Sequence, residues 1–183
     1  MLLFWSKGLA ATSVAELCKG MGISLPSMYA AFGSKAALYA EAISHYDQTR
    51  GELIMQHFNA APTAKEAVET LLNCIIHAYT QTKQPLGCMV TLSSVTQAES
   101  TALNSLVKEG RALAVDLIRG RFVMAVTAGE LSASVDVEVL ARTYVTFLQG
   151  LSIQARDGVP KEVLLATVKT MMLGWDVLTS PRG

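Results

Sequence analysis

The segment Tyr29-Ala-Ala-Phe32-Gly-Ser34-Lys35 places a phenol, a hydroxyl and an ammonium across what reads as the junction of two helices. These groups donate hydrogen bonds or carry positive charge, and together they suit phosphate recognition. A helix starting after Gly33 adds unpaired N-terminal amides to the same place. Just upstream, Ser24, Pro26, Ser27, Tyr29 and Ala30 lie on a short segment of small side chains, a profile that fits a groove of DNA better than a packed core. Catalytic chemistry has far weaker support. Cys74, His77 and Cys88 offer thiol and imidazole groups, yet there is no nucleophile elbow, phosphate loop, HExxH or paired acidic motif. Cys18, Cys74 and Cys88 lack CxxC spacing, which argues against a disulfide framework or zinc knuckle; no metal and no cofactor is expected.

The elements that position these groups are helices. No stretch of the 183 residues combines strict alternation with β-branched enrichment, so an all-α chain is predicted. Ser13-Val-Ala-Glu16, Thr63-Ala-Lys-Glu66 and Thr96-Gln-Ala-Glu99 have the capping-box form, Asp136 suits an N-cap and Pro160 a first helical position. With Gly8, Gly22 and Gly33 as stops, the pattern gives a fragment 1–7 and helices over 14–21, 25–31, 35–58, 64–82, 87–95, 98–125, 137–156 and 160–178. Short helices come first and long ones follow, which divides the chain into a head over 1–46 and a body over 47–183. Within the head, Val14, Leu17, Cys18 and Met21 share a face, Gly22 breaks the helix, Ile23 tucks into the angle and Ser24 caps the next helix. That is a helix-turn-helix, although an αα-corner has the same outline.

The stretch LFWSKGLAATSVAELCKGMGISLPSMYAAFGSKAALYAEAI resembles the DNA-binding head of the TetR family of bacterial transcriptional regulators. The resemblance implies that Phe32-Gly33-Ser34-Lys35, Tyr29 and Thr12-Ser13 stand at the family's phosphate-contacting and capping positions, and that the partner is double-stranded operator DNA bound by a homodimer. FLQGLSIQARDGVPKEVL and Gly87-Cys88-Met89 extend the likeness to the C-terminal dimerisation region and the sixth helix. By comparison with the family, the chain begins within its first helix, so the head is expected to lack the start of that helix and the basic arm before it. Ala36 and Ala37 stand where acidic residues commonly support the following helix, with a small expected effect.

Composition leaves the body apolar. Aliphatic and aromatic residues with Ala, Met and Cys make up 51% and charged residues 16%, while Lys+Arg (15) equals Asp+Glu (15), so overall charge gives no sign of a polyanionic partner. The apolar run VLLATVKTMMLGW is too short to span a bilayer and holds Lys169, so a soluble, cytoplasmic protein without membrane contact is expected. Apolar residues surround helices 137–156 and 160–178, which predicts a dimer interface using Phe147, Gly150, Leu151, Val168, Met171 and Trp175. The middle helices offer Phe58, His77, Met89, Leu92, Ser93, Met124, Tyr144 and Phe147 as walls of a small-molecule effector pocket, with ordinary core packing as the competing reading for each. The predicted function is a ligand-responsive regulator, most simply a repressor on a palindromic operator, and not an enzyme. A helical interaction module or a small enzyme without DNA binding is the alternative.

Overall fold

A computed structural model describes residues 1–93 and 100–180, and every regular element among them is helical. The order is α1 (Leu2–Ala11), α2 (Val14–Met21), α3 (Leu25–Phe32), α4 (Lys35–Ala60), α5 (Ala64–Tyr79), α6 (Met89–Leu92), α7 (Thr101–Thr127), α8 (Val137–Arg156), α9 (Lys161–Leu173) and α10 (Trp175–Thr179).

Capping chemistry sets most of the boundaries. The Ser13 hydroxyl accepts the Glu16 amide at 3.1 Å while the Glu16 carboxylate accepts the Ser13 amide at 2.9 Å, the reciprocal box expected for α2. Thr63 and Asp136 cap α5 and α8 as predicted. The predicted box at Thr96 lies outside the described residues; Ser100 caps α7 instead, accepting the Leu103 amide at 3.2 Å. Gly22 and Gly33 close α2 and α3 with φ of 68° and 73°. Gly8, with φ 79°, kinks α1, and the chain resumes helical geometry for one further turn. Three expected helices were too long. The span 64–82 ends at Tyr79, 87–95 contracts to α6, and 160–178 breaks at Gly174 into α9 and α10, with Pro160 as N-cap and not the first helical residue.

Two apolar clusters hold the fold. The head cluster joins Phe4, Trp5 and Leu9 of α1, Leu17 of α2, Met28 of α3 and Leu38, Tyr39, Ile43 and Tyr46 of α4. It continues into Met89 and Val90 of α6 and Leu103 and Val107 of α7, so the core of the head crosses the boundary drawn from helix lengths. The body cluster draws on α5, α7, α8 and α9 with Phe58 of α4 and Trp175 of α10, and Phe122, Tyr144 and Trp175 are in mutual edge and tilted contact at centroid separations of 6.1, 6.0 and 5.8 Å. Gly87 is sterically required where the chain enters α6: its φ is 74°, and a Cβ there would meet the Ser152 carbonyl oxygen at 2.6 Å. The adjacent Cys88 amide donates to the Ser152 hydroxyl at 2.8 Å, fixing α6 against α8.

Candidate nucleic-acid interface and body cavity

Helix α3 is held from below and open above. Met28 is fully buried, whereas Leu25 and Tyr29 are about half exposed and Pro26, Ser27, Ala30 and Ala31 are all exposed. Ser24 caps the helix by accepting the Ser27 amide at 3.2 Å, and the two hydroxyls lie 2.8 Å apart. Ser34 caps α4 by accepting the Ala37 amide at 3.0 Å, so a hydroxyl and the N-terminal amides of a 26-residue helix meet at one exposed point. Ser13, Ser24, Ser27, Tyr29 and Ser34 thus form an exposed polar border around the α2–α3 turn.

Two predicted contact residues are placed differently. Thr12 is fully buried and its hydroxyl donates to the Gly8 carbonyl at 2.6 Å, so it closes the kinked end of α1 and offers nothing at the surface. The Lys35 ammonium donates to the carbonyls of Leu9 and Thr12 at 2.9 and 3.1 Å. It binds the C-terminal end of α1 to the start of α4, and among the described residues one of its three N–H donors has no partner.

Lys7 and Glu16 form an ion pair between α1 and α2 that composition did not point to. Hydrogen bonding to Lys7, with further bonds from Ser13, holds the Glu16 carboxyl down at about 2. A depressed carboxylate stabilises the fold above its ordinary range and loses that contribution as pH falls between about 4.5 and about 2. The pair is exposed, so the effect is small: acid titration followed by circular dichroism should show a slight stability step in this window, which Glu16→Gln removes while slightly lowering the melting temperature at neutral pH. An unchanged acid limb would assign the step to other carboxylates.

In the body, α4, α5, α6, α7 and α8 line a solvent-open cavity of about 590 Å³. Its walls are mostly apolar, among them Ile54, Met55, Phe58, Ile75, Ala114 and Ile118. Trp5 of the head also lines it. The polar lining includes Tyr46, Tyr79, Cys88 and Arg111. Burial, reinforced by the neighbouring Cys88, pushes both phenols up, so they remain hydrogen-bond donors. Arg111 donates to the Thr91 carbonyl at 3.1 Å and to that of Ser93, and the Ser93 hydroxyl in turn lies 2.6 Å from the Tyr39 hydroxyl of α4.

Of the predicted wall residues, Phe58 alone lines this cavity. Tyr144 is fully buried in the aromatic core, Met124 is 58% exposed on the outer face of α7, and His77 is exposed on α5. Phe147 packs at the edge of the body core. Met89, Leu92 and Ser93 line a separate cleft of about 510 Å³ between α1, α4 and α6, with Lys7 and Arg156 at its rim. Its polar groups are already committed: Lys7 pairs with Glu16, and Arg156 donates to the Ser6 carbonyl at 2.7 Å.

The predicted dimer residues also separate by face. Leu151, Val168 and Trp175 are buried within the subunit, and Phe147, Gly150 and Met171 are half-buried. The outward faces carry a set that shares only Gly150 with it. Val139, Thr143, Thr146, Gly150 and Ile153 recur at alternating spacings of four and three along α8, and Val163, Ala166, Thr170, Leu173 and Val177 at three and four along α9 and α10. Both rows are free of charge, and Leu173 and Val177 are 83% and 79% exposed. Sequence periodicity could have found them, because a 3.5-residue repeat without charge is the signature of a helix seam.

No helix among the described residues is long and apolar enough to cross a membrane. Residues 1–42 match the model of the bacterial regulatory proteins of the tetR family. The chain is 39% identical to the TetR family transcriptional regulator CifR, in a cysteine mutant solved with 26-bp double-strand operator DNA; the match has a TM-score of 0.91 and covers 95% of this chain and 92% of that one. A structure of a TetR regulator from Rhodococcus sp. RHA1 matches at 33% identity and a TM-score of 0.60, over 99% of this chain and 94% of that one. Among curated proteins, the transcriptional repressor ComR of Escherichia coli strain K12 is 27% identical over 180 residues, 97% of this chain and 86% of that protein. These relatives are transcriptional regulators and not enzymes. With this identity sustained over nearly the full length of a relative whose fold it shares, the chain belongs to the TetR family of bacterial transcriptional regulators.

Proposed function

We propose that the chain is a cytoplasmic, ligand-responsive repressor that binds a palindromic operator as a homodimer, with residues 1–46 as the DNA-binding head and 47–183 as the effector-binding and dimerisation body. The observation that carries this reading is α3, anchored by fully buried Met28 and presenting only small or half-exposed side chains outward. Two such helices, one from each subunit, enter successive major grooves. Ser13, Ser24, Ser27, Tyr29 and Ser34 contact the backbone and groove, Pro26 and Ala30 face the bases, and Lys35 places its charge beside a phosphate while holding α1 to α4. Lys35→Met should weaken operator binding for every sequence alike and reduce the magnitude of the log–log salt slope by about one. An unchanged slope confines Lys35 to its structural bonds.

The dimer forms through the uncharged rows of α8, α9 and α10, which pack against their counterparts in a four-helix arrangement. The effector is small and largely apolar and occupies the 590 Å³ cavity. It reaches the head by two routes, direct contact with Trp5 and Tyr46, and the Arg111–Ser93–Tyr39 chain, so it can favour one head spacing over another. Ala114→Trp, which fills the cavity, should abolish binding of the apolar fluorophore N-phenyl-1-naphthylamine and leave operator affinity in place. Undiminished fluorophore binding would remove the cavity as the site.

A further inference from the structure

We infer that the head reads its operator chiefly through thymine methyl groups. This rests on the DNA-binding reading above and adds what the recognition helix selects. Bidentate recognition of guanine or adenine in the major groove comes from Arg, Lys, Asn or Gln, and α3, LPSMYAAF, contains none of them. Taking buried Met28 as the inward direction, helical rotation puts Pro26 and Ala30 farthest outward, with Ser27 and Tyr29 beside them. The outermost pair is therefore apolar. Leu25, at the helix N-terminus where base contacts concentrate, keeps a side chain that is 51% exposed.

The hydroxyls supply little discrimination. Ser24 caps the helix and lies 2.8 Å from Ser27, so both are engaged locally, and a serine hydroxyl can donate to or accept from any base edge. Among major-groove base edges the apolar feature is the thymine C5 methyl. The ring of Pro26 and the methyl of Ala30, with the half-exposed isobutyl group of Leu25 at the start of the helix, are complementary to it and desolvate it on contact. Half-sites should accordingly hold thymines, on either strand, facing these groups.

The test uses the full chain and an operator obtained by repeated selection from a random duplex library, resynthesised with deoxyuridine in place of thymidine at one position at a time. Deoxyuridine keeps the pairing edge and removes only the methyl group. At the thymines facing α3, affinity should fall by about fourfold per methyl lost, and substitutions outside the half-sites should have no effect. In the Leu25→Ala or Ala30→Gly variant the loss at the matching thymine should shrink, while losses at other thymines stay. Because the uridine series is measured on the unaltered protein, it does not depend on either variant folding. Binding of the selected operator that persists within twofold when every half-site thymine is replaced overturns the inference and leaves DNA binding intact. Recovery of no operator from the library overturns the DNA-binding reading itself.

Discussion

Trp175→Ala is expected to lower the stability of the folded chain by ~3–5 kcal/mol, the range for deleting a large aromatic side chain from a packed core. The residue is 5% exposed and its ring meets both Phe122 and Tyr144 at about 6 Å, so truncation leaves a void that three helices must either collapse around or tolerate. Tyr144 amplifies the loss. Its hydroxyl is buried without a hydrogen-bond partner among the described residues, and burial raises its pKa to about 12, so it sits in a setting that depends on close packing around the ring. Guanidinium unfolding followed by circular dichroism should show a lower midpoint with a similar slope. Association of the remaining folded protein should be unchanged in sedimentation, because Trp175 faces the interior. A shift from dimer to monomer without loss of stability would put Trp175 on the interface after all.

The complementary experiment alters the outward rows. Ile153→Glu and Leu173→Glu place carboxylates at 51% and 83% exposed positions, where the isolated subunit solvates them at little cost. In the proposed dimer each charge would be buried without a partner. Loss of a central interface side chain typically costs ~2 kcal/mol or more, roughly 30-fold in association, and burying an unpaired charge adds to that. The double variant should therefore sediment as a folded monomer at micromolar concentration and lose cooperative operator binding. Retention of the dimer would direct attention to the exposed apolar residues Leu113, Leu117 and Met124 on α7.

These two experiments separate residues that look alike in the sequence. Helices α8 and α9 are apolar around most of their circumference, so periodicity showed that more than one face was buried but not which face belonged to the subunit's own core. Val168 and Trp175 turned inward because α5 and α7 supply surfaces for them, a fact of packing between segments far apart in the chain. The cavity illustrates the same limit. The identity of its wall depends on axial rotation: Met124 lies beyond the cavity-lining stretch of α7 and points to solvent, while Ala114 and Ile118 line the cavity.

Local chemistry determined the rest directly from the sequence. The capping box at Ser13, the left-handed Gly22 and Gly33, and the caps at Ser24, Ser34 and Asp136 involve groups within three or four residues of one another, so α2, α3 and α4 and the α2–α3 turn were fixed without reference to the remainder of the molecule. The exposed border of serines and Tyr29 followed from those helices. Tertiary structure alone decided that Thr12 turns inward, that the Lys35 ammonium ties α4 to the carbonyls ending α1, and that Met89 and Val90 join the core of the head. Each of these joins groups 23 or more residues apart, or buries a polar side chain against a kink, and such pairings are selected by the packing of whole helices and not by the local preferences of the chain.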